Sequence, residues 1–143
     1  MTTALKKNKE YSNRYVQQIK NPEIPPEIDE ILETKKIKSL IDLGCGDGIF
    51  IHALKRKYPK LKIVGIDISE RRIKGLKKKF PNDKFYCRDV CNTKLKEKFD
   101  FVYSSQVLEH VESDKKMINE MKKLLKNNGT LFVSSVIKKP WAI

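Results

Sequence analysis

The sequence predicts an α/β fold, a doubly wound and mostly parallel sheet with helices on both faces. From Ile37 onward, short apolar runs alternate strictly with segments of helical periodicity. The apolar runs are nearly continuous, as in strands that are buried on both faces. Because parallel β-α-β crossovers are right-handed, this alternation favours a sheet with helices packed on each side. The chain has 143 residues, which suits one such domain.

The N-terminal part differs in pattern from the rest. Residues 1–35 are predicted to form a helical flap on the main domain, which comprises residues 36–143. A first helix is expected over residues 10–20. A second helix is expected over residues 26–34, because proline in a first turn followed by acidic residues favours helix initiation.

The main domain is predicted to contain five strands and three helices. The predicted strands are IKSLIDL (37–43), LKIVGID (61–67), DKFYCRD (83–89), KFDFVYSS (98–105) and TLFVSSVI (130–137). The predicted helices cover 48–57, 69–80 with Ser69 as N-cap, and 112–129, which is capped by Ser113 or Asp114 and closed by Asn128 and Gly129. The chain ends soon after the fifth strand, so we expect a fragment that lacks a C-terminal part.

Composition narrows the class of protein without naming a partner. The 31 Lys and Arg against 18 Asp and Glu give a net charge of +13, which attracts polyanions. No apolar run is long enough to predict a membrane span, and the N-terminal residues lack the apolar stretch that would predict a secretory signal. Three cysteines without a C-x-x-C pair indicate neither a zinc site nor a disulfide framework, and they favour a reducing, cytoplasmic location.

The turn after the first strand, GCGDG, is the most informative motif. Glycine lets a backbone turn tightly and approach a ligand closely. The sequence of this turn matches neither the phosphate-binding G-x-x-x-x-G-K-[ST] motif nor the dinucleotide-binding G-x-G-x-x-G motif. In addition, Asp42 and Asp47 would repel a pyrophosphate, whereas they suit a ligand with an ammonium or sulfonium group. These features disfavour a phosphate ligand and favour a positively charged nucleoside.

Two further carboxylates are predicted at the tips of neighbouring strands. Asp67 ends the second strand about 20 residues beyond the turn, where a carboxylate accepts both ribose hydroxyls in nucleotide-binding sheets. Asp89 ends the third strand, where it can accept a hydrogen bond from an adenine amino group. Ile68 and Val90 are then apolar walls for the ring.

With these motifs the sequence resembles a known family, the class I S-adenosylmethionine-dependent methyltransferases. IDLGCGDG resembles its first motif, IVGIDIS its second, FYCRDV its third and FDFVYSSQVLEHV its fourth, and LLKNNGTLFVSS is similar to the segment leading into its fifth strand. The resemblance implies a Rossmann-like sheet of strand order 3-2-1-4-5, and we expect it to lack the C-terminal antiparallel edge strands because the chain ends soon after the fifth strand. It also implies S-adenosyl-L-methionine as cofactor. The element VLEHV is similar to the branch that methylates small molecules, lipids, quinone precursors or sugars.

The resemblance implies roles for individual residues. Those assigned to the methionine part of the cofactor are Gly44, Cys45 and Gly46 of the turn, Asp42 before it, and Ser105 and Gln106 just past the fourth strand. It assigns Asp67 to the ribose and Ile68 to the adenine face. Asp89 and Val90 are assigned to the adenine edge.

Methyl transfer from a sulfonium is an in-line displacement, so the protein mainly aligns donor and acceptor. A general base is needed only where the acceptor must lose a proton, and the candidate is His110, with Glu109 beside it. The other histidine, His52, is predicted to pack within the first helix of the main domain or lie on the surface. SSQV stands where enzymes that methylate exocyclic base amines carry a proline-aromatic motif, which disfavours that subclass.

Three alternatives to a small-molecule, lipid or sugar-like acceptor stay open from sequence. The lysine surplus suits an RNA- or other nucleic-acid-modifying methyltransferase. A non-catalytic cofactor-binding module would carry the same motifs. An NAD-dependent dehydrogenase is disfavoured because the glycine turn lacks the G-x-G-x-x-G motif. The sequence specifies neither the acceptor nor the oligomeric state.

Overall fold

The computed structural model describes residues 2–14 and 22–136. Its five strands form one parallel sheet of order β3-β2-β1-β4-β5. The strands are β1 (Ser39–Leu43), β2 (Lys62–Asp67), β3 (Lys84–Cys87), β4 (Phe99–Ser105) and β5 (Leu125–Ser134). This order confirms the predicted Rossmann-like sheet. No strand pairs with the outer side of β5 within the described residues.

Five α-helices and one short 3-10 helix accompany the sheet in the described part of the chain. They are α1 (Thr3–Arg14), α2 (Pro26–Thr34), α3 (Ile49–Lys57), α4 (Glu70–Lys79), the 3-10 helix Leu108–His110, and α5 (Asp114–Lys123). The prediction for α2 is confirmed at both ends. Ser69 is the N-cap of α4 as predicted, since its Oγ accepts a hydrogen bond from the Arg72 amide. Ser113 caps α5 in the same way.

Two predicted helix boundaries are wrong. The first helix begins at Thr3 rather than at residue 10, and residues 15–20 of the prediction lie outside the described residues. The last helix ends at Lys123 rather than near Asn128. There the Leu124 carbonyl accepts a hydrogen bond from the Phe99 amide, so the chain joins the sheet instead of continuing the helix. Asn128, with a φ of 63°, lies in an irregular stretch of β5.

The helices cover both faces of the sheet, as predicted. On one face α2, α3 and α4 pack against a core that includes Ile28, Leu54 and Phe85. On the other face Met117 and Met121 of α5 are fully buried against the sheet. None of the helices over residues 2–14 and 22–136 is long and apolar enough to cross a membrane.

Gly48 connects the turn after β1 to α3, and the fold requires glycine there. Its φ is +82°, in the left-handed region that side chains disfavour. A Cβ at this position would also lie 2.4 Å from Leu76 Cδ2 of α4. Gly75, in the middle of α4, is the opposite case, because a Cβ there would meet nothing within 4 Å.

We therefore expect opposite effects of two glycine-to-alanine changes. Gly48→Ala should lower the free energy of unfolding by at least about 2 kcal/mol, from left-handed strain plus the contact with Leu76. Gly75→Ala should raise it by about 0.5–1 kcal/mol, because alanine is the better helix former. Urea denaturation of both variants measures this, and a shift in the same direction for both would contradict the described turn.

Candidate functional site

A cavity of about 500 Å³ opens at the carboxyl ends of the strands. Ten of the eleven residues predicted from sequence line it: Gly44, Cys45, Gly46, Asp67, Ile68, Asp89, Val90, Ser105, Gln106 and His110. Its volume lies in the range of small-molecule sites. The sheet collects these residues because all five strands run in parallel, so their carboxyl ends meet at one edge.

The glycine turn is held against the neighbouring strand. The amides of Gly44 and Cys45 both donate to the Ile66 carbonyl, at 2.8 and 2.9 Å. Gly44 has a φ of +84°, and a Cβ there would lie 2.2 Å from Val107 Cγ2. The need for glycine at this position is thus explained by the fold itself, through backbone conformation and close packing.

Asp67 is the central side chain of the site. It is only 6% exposed and accepts three hydrogen bonds. Its Oδ2 accepts from the Gly46 amide at 3.0 Å, and its Oδ1 accepts from the Ser69 amide at 2.9 Å. The third donor is the Ser12 hydroxyl of α1, at 2.8 Å from Oδ1. One carboxylate therefore ties together the turn, the start of α4 and the N-terminal helix.

Asp42 does not line the cavity, unlike the other predicted residues. It lies within β1 and is 3% exposed. Burial, together with the nearby Asp67, raises the pKa of Asp42 to about 8. The side chain is therefore largely protonated at neutral pH, and it does not offer the cavity the negative charge that was inferred from sequence.

Asp47 also differs from the sequence-based interpretation. Its carboxylate lies 3.4 Å from Arg71 Nη1 and 3.7 Å from Arg72 Nε. The charge that was expected to repel a phosphate is thus offset by two guanidinium groups of α4. Of the four acidic residues discussed above, Asp67 and Asp89 are the two that line the cavity.

The loop after β3 forms the second wall of the site. The Cys91 amide donates to Asp89 Oδ1 at 2.9 Å, which fixes that carboxylate at the strand tip. Arg88 also lines the cavity. Its guanidinium donates to the Thr93 carbonyl at 2.7 Å and lies 4.5 Å from the centre of the Tyr86 ring.

The segment after β4 closes the opposite side. Gln106 has a φ of +59°, and its amide donates to the Ser134 carbonyl of β5. Next comes the 3-10 helix with the pair Glu109 and His110, whose Oε1 and Nε2 are 3.9 Å apart. Ser135 donates to Glu109 Oε2 at 2.7 Å. Burial alone would raise the pKa of Glu109, but this hydrogen bond and nearby donors hold it below its usual value.

Two other residues with potentially reactive side chains, Cys45 and His52, are packed within the fold. Cys45 is buried, and burial raises the pKa of its thiol well above the usual value, which disfavours a nucleophilic role. His52 packs edge-on against Phe80, with ring centres 4.9 Å apart, which agrees with the first of its two predicted placements. Within the described residues no three His, Cys, Asp or Glu side chains are placed to hold a metal ion.

Sequence reasoning missed the residues that α1 contributes to the cavity. Asn8, Tyr11 and Ser12 all line it, although α1 lies at the far end of the chain from the strand tips that it covers. Asn8 Nδ2 donates to the His110 carbonyl at 2.6 Å, and the Tyr11 ring stacks on His110 with ring centres 6.5 Å apart. No motif marks these contacts, since α1 is polar with few apolar positions.

Comparison with known proteins gives a consistent family. The family described as "Methyltransferase domain" matches residues 41–133, more than half of the chain. Malonyl-[acyl-carrier protein] O-methyltransferase 1 of Ilyobacter polytropus is 29% identical over 105 residues, which are 71% of this chain and 39% of that protein. Ubiquinone biosynthesis O-methyltransferase of Coxiella burnetii is 33% identical over 108 residues, covering 72% of this chain and 45% of that protein.

A solved structure agrees in fold. The plantazolicin methyltransferase BpumL in complex with SAH superposes with a TM-score of 0.62 at 25% identity, over 72% of this chain and 41% of that one. This chain spans less than half the length of each of the three proteins compared.

The buried Asp42 predicts a specific pH dependence of stability. Its pKa is about 8 in the folded chain against roughly 3.9 when unfolded, so its stabilising contribution is complete below about pH 4. That contribution is lost as the pH rises towards 8, by up to about 1.4 kcal/mol per pH unit. Asp42→Asn should remove this slope between pH 5.5 and 8, as measured by urea denaturation.

Asp100→Asn is the matched control. Asp100 accepts the Lys38 and Ser39 amides at the amino end of β4, and these hydrogen bonds help to hold its pKa below the usual value although burial opposes them. Its titration therefore lies below the tested window, and Asp100→Asn should shift stability without changing the slope. An unchanged slope in Asp42→Asn would show that Asp42 does not bind a proton in this range.

Proposed function

The chain belongs to the methyltransferase domain family, and on this premise we propose that it binds S-adenosylmethionine and transfers its methyl group to an oxygen of a small molecule. The observation that carries the proposal is the placement of Asp67 and Asp89 at successive strand tips around one cavity. The named O-methyltransferase relatives support oxygen as the accepting atom. None of the relatives described above is named for a nucleic acid, so the nucleic-acid alternative has no support.

The residues of the cavity fit the proposed cofactor in chemical type. A ribose offers two hydroxyl donors, and Asp67 is an acceptor with two oxygens. Ile68 and Val90 provide apolar surface on which an adenine ring can lie, and Asp89 can accept a hydrogen bond from its amino group. The glycine turn and Gln106 border the opposite end, where the methionine part would lie.

When bound, the cofactor supplies an activated methyl group on a sulfonium, ready for in-line displacement. The chain's own task is then to orient the acceptor and to exclude water. His110 lies at the end of the cavity next to Glu109, where it can take the proton that a hydroxyl acceptor loses. Glu109, ionised and held by Ser135, stabilises the positive charge that His110 gains.

Two broader assignments accompany this proposal. We propose that residues 1–35 act as a flap on the domain of residues 36–143, with α1 as the part that covers the cavity. Within this segment α2 belongs to the core, because Ile28 is fully buried there. We also propose a cytoplasmic location, because Cys45, Cys87 and Cys91 are all free thiols.

Cofactor binding tests the first half of the proposal. Titration calorimetry with SAH, the product of S-adenosylmethionine, should show binding to the wild-type chain. Asp67→Asn should weaken it about tenfold to a hundredfold, since a hydrogen bond to a charged group is worth roughly 1.5–3 kcal/mol. Asp100→Asn is the matched control, because Asp100 also accepts two backbone amides but at the amino end of the sheet. Wild-type protein that binds neither S-adenosylmethionine nor SAH would refute the function.

Methyl transfer tests the second half. With radiolabelled S-adenosylmethionine and a panel of phenolic, catechol and carboxylate acceptors, His110→Ala should lower the rate of transfer to the phenolic and catechol acceptors about a hundredfold or more, whereas a carboxylate acceptor has no proton to lose. Its affinity for SAH should stay within about twofold of wild type, because the ring is assigned to the acceptor end. Equal rates in variant and wild type would remove His110 as the base. SAH binding without transfer to any acceptor would favour the non-catalytic module instead.

A further inference from the structure

Helix α1 closes the cavity by contacts on two opposite sides. On the side of α4, Lys9 Nζ lies 3.0 Å from Glu70 Oε1, and Asn13 accepts from the Ser69 hydroxyl at 2.6 Å. On the other side, Asn8 donates to the His110 carbonyl and Tyr11 stacks on the His110 ring. The helix thus bridges the expected nucleoside end and the expected acceptor end.

Between these attachments, the Ser12 hydroxyl donates to Asp67. A carboxylate offers about four lone-pair positions, two on each oxygen. In Asp67 both positions of Oδ1 are taken, by the Ser12 hydroxyl and the Ser69 amide, and one position of Oδ2 is taken by the Gly46 amide. Counting the donors that the structure describes, a single position is left, on Oδ2.

A ribose that donates both hydroxyls to this carboxylate needs two free positions, one more than the described contacts leave. The Gly46 and Ser69 amides belong to the turn and to the start of α4, so they cannot leave without unfolding the site. Among the described donors to Asp67, the Ser12 hydroxyl is the one that belongs to a separate helix. We infer that Ser12 occupies the ribose-binding position of Asp67 in the ligand-free chain, and that α1 must withdraw from Asp67 for the nucleoside to bind. This inference rests on the proposed cofactor.

The character of α1 suits withdrawal. Ser12 is the single buried residue among residues 2–13. Apart from the buried hydrogen bond of Ser12 to Asp67, the contacts named above are an ion pair, hydrogen bonds that are exposed or partly buried, and a ring contact, and water replaces such contacts at lower cost. Helix α2 is different, because its Ile28 and Leu32 are buried in the core and hold it in place. The same N-terminal region thus contains one anchored helix and one that is held by exchangeable contacts.

The test measures SAH binding to the full chain by calorimetry and stopped-flow fluorescence. Ser12→Ala removes the competing donor, so its Kd should fall about threefold to tenfold, as expected for one hydrogen bond net of solvent, and its association rate constant should rise. Thr34→Ala is the matched control, because in the described part of the chain the Thr34 hydroxyl donates to the Glu30 carbonyl on the exposed face of α2. Its Kd should equal that of the wild type.

A second variant keeps the inference testable if Ser12→Ala does not fold. Asn8→Ala loosens α1 at the His110 side without touching Asp67, and it should also raise the association rate constant for SAH. Weaker binding by Ser12→Ala would show that Ser12 is a ligand of the nucleoside and would overturn the inference. Unchanged Kd and association rate constants in both variants would overturn it as well.

These outcomes are distinct from failure of the proposed function. If the wild type binds SAH and Asp67→Asn does not, the cofactor assignment stands whatever Ser12→Ala does. If neither wild type nor Ser12→Ala binds SAH, the cofactor assignment fails and the inference fails with it.

Discussion

The site depends on one carboxylate, Asp67, and on the backbone donors that it collects. Two amides, from Gly46 and Ser69, fix the glycine turn against the start of α4. Charge-assisted hydrogen bonds are stronger than neutral ones. This carboxylate can therefore hold together the glycine turn and the start of α4, which belong to different elements. The Ser12 hydroxyl then brings in α1 as a third segment. Without Asp67, the turn, the helix start and the N-terminal helix would lose their common partner.

Concentrating acidic groups at strand ends has an electrostatic cost, which the fold offsets in different ways. Asp42 is buried and its pKa rises to about 8, so protonation removes its charge. Asp47 forms ion pairs with Arg71 and Arg72. Asp67 is compensated by hydrogen bonds rather than by an ion pair. The negative charge expected from the sequence around the glycine turn is therefore largely neutralised within the fold itself. Asp67 and Asp89 still line the cavity.

Sequence patterns predicted the order and type of the elements from α2 to β5, because burial on both faces leaves a clear apolar run for each strand. Errors occurred at ends that tertiary contacts decide. The segment after Lys123 keeps a helical pattern, yet the Leu124 carbonyl pairs with the Phe99 amide and the chain enters the sheet. At α1 the error was larger, since this helix is mostly polar and its few apolar residues do not mark a buried face.

The sequence by itself determined the family, the parallel sheet and ten residues that line one cavity. These features follow from local sequence patterns, since each strand end and each glycine turn consists of consecutive residues. The tertiary structure alone decided how those residues are charged and covered. Asp42 is protonated because segments distant in the chain bury it. Asp47 pairs with two arginines of α4, and Ser12 of α1 contacts Asp67. Such contacts depend on burial and on distances in space, which no local pattern encodes.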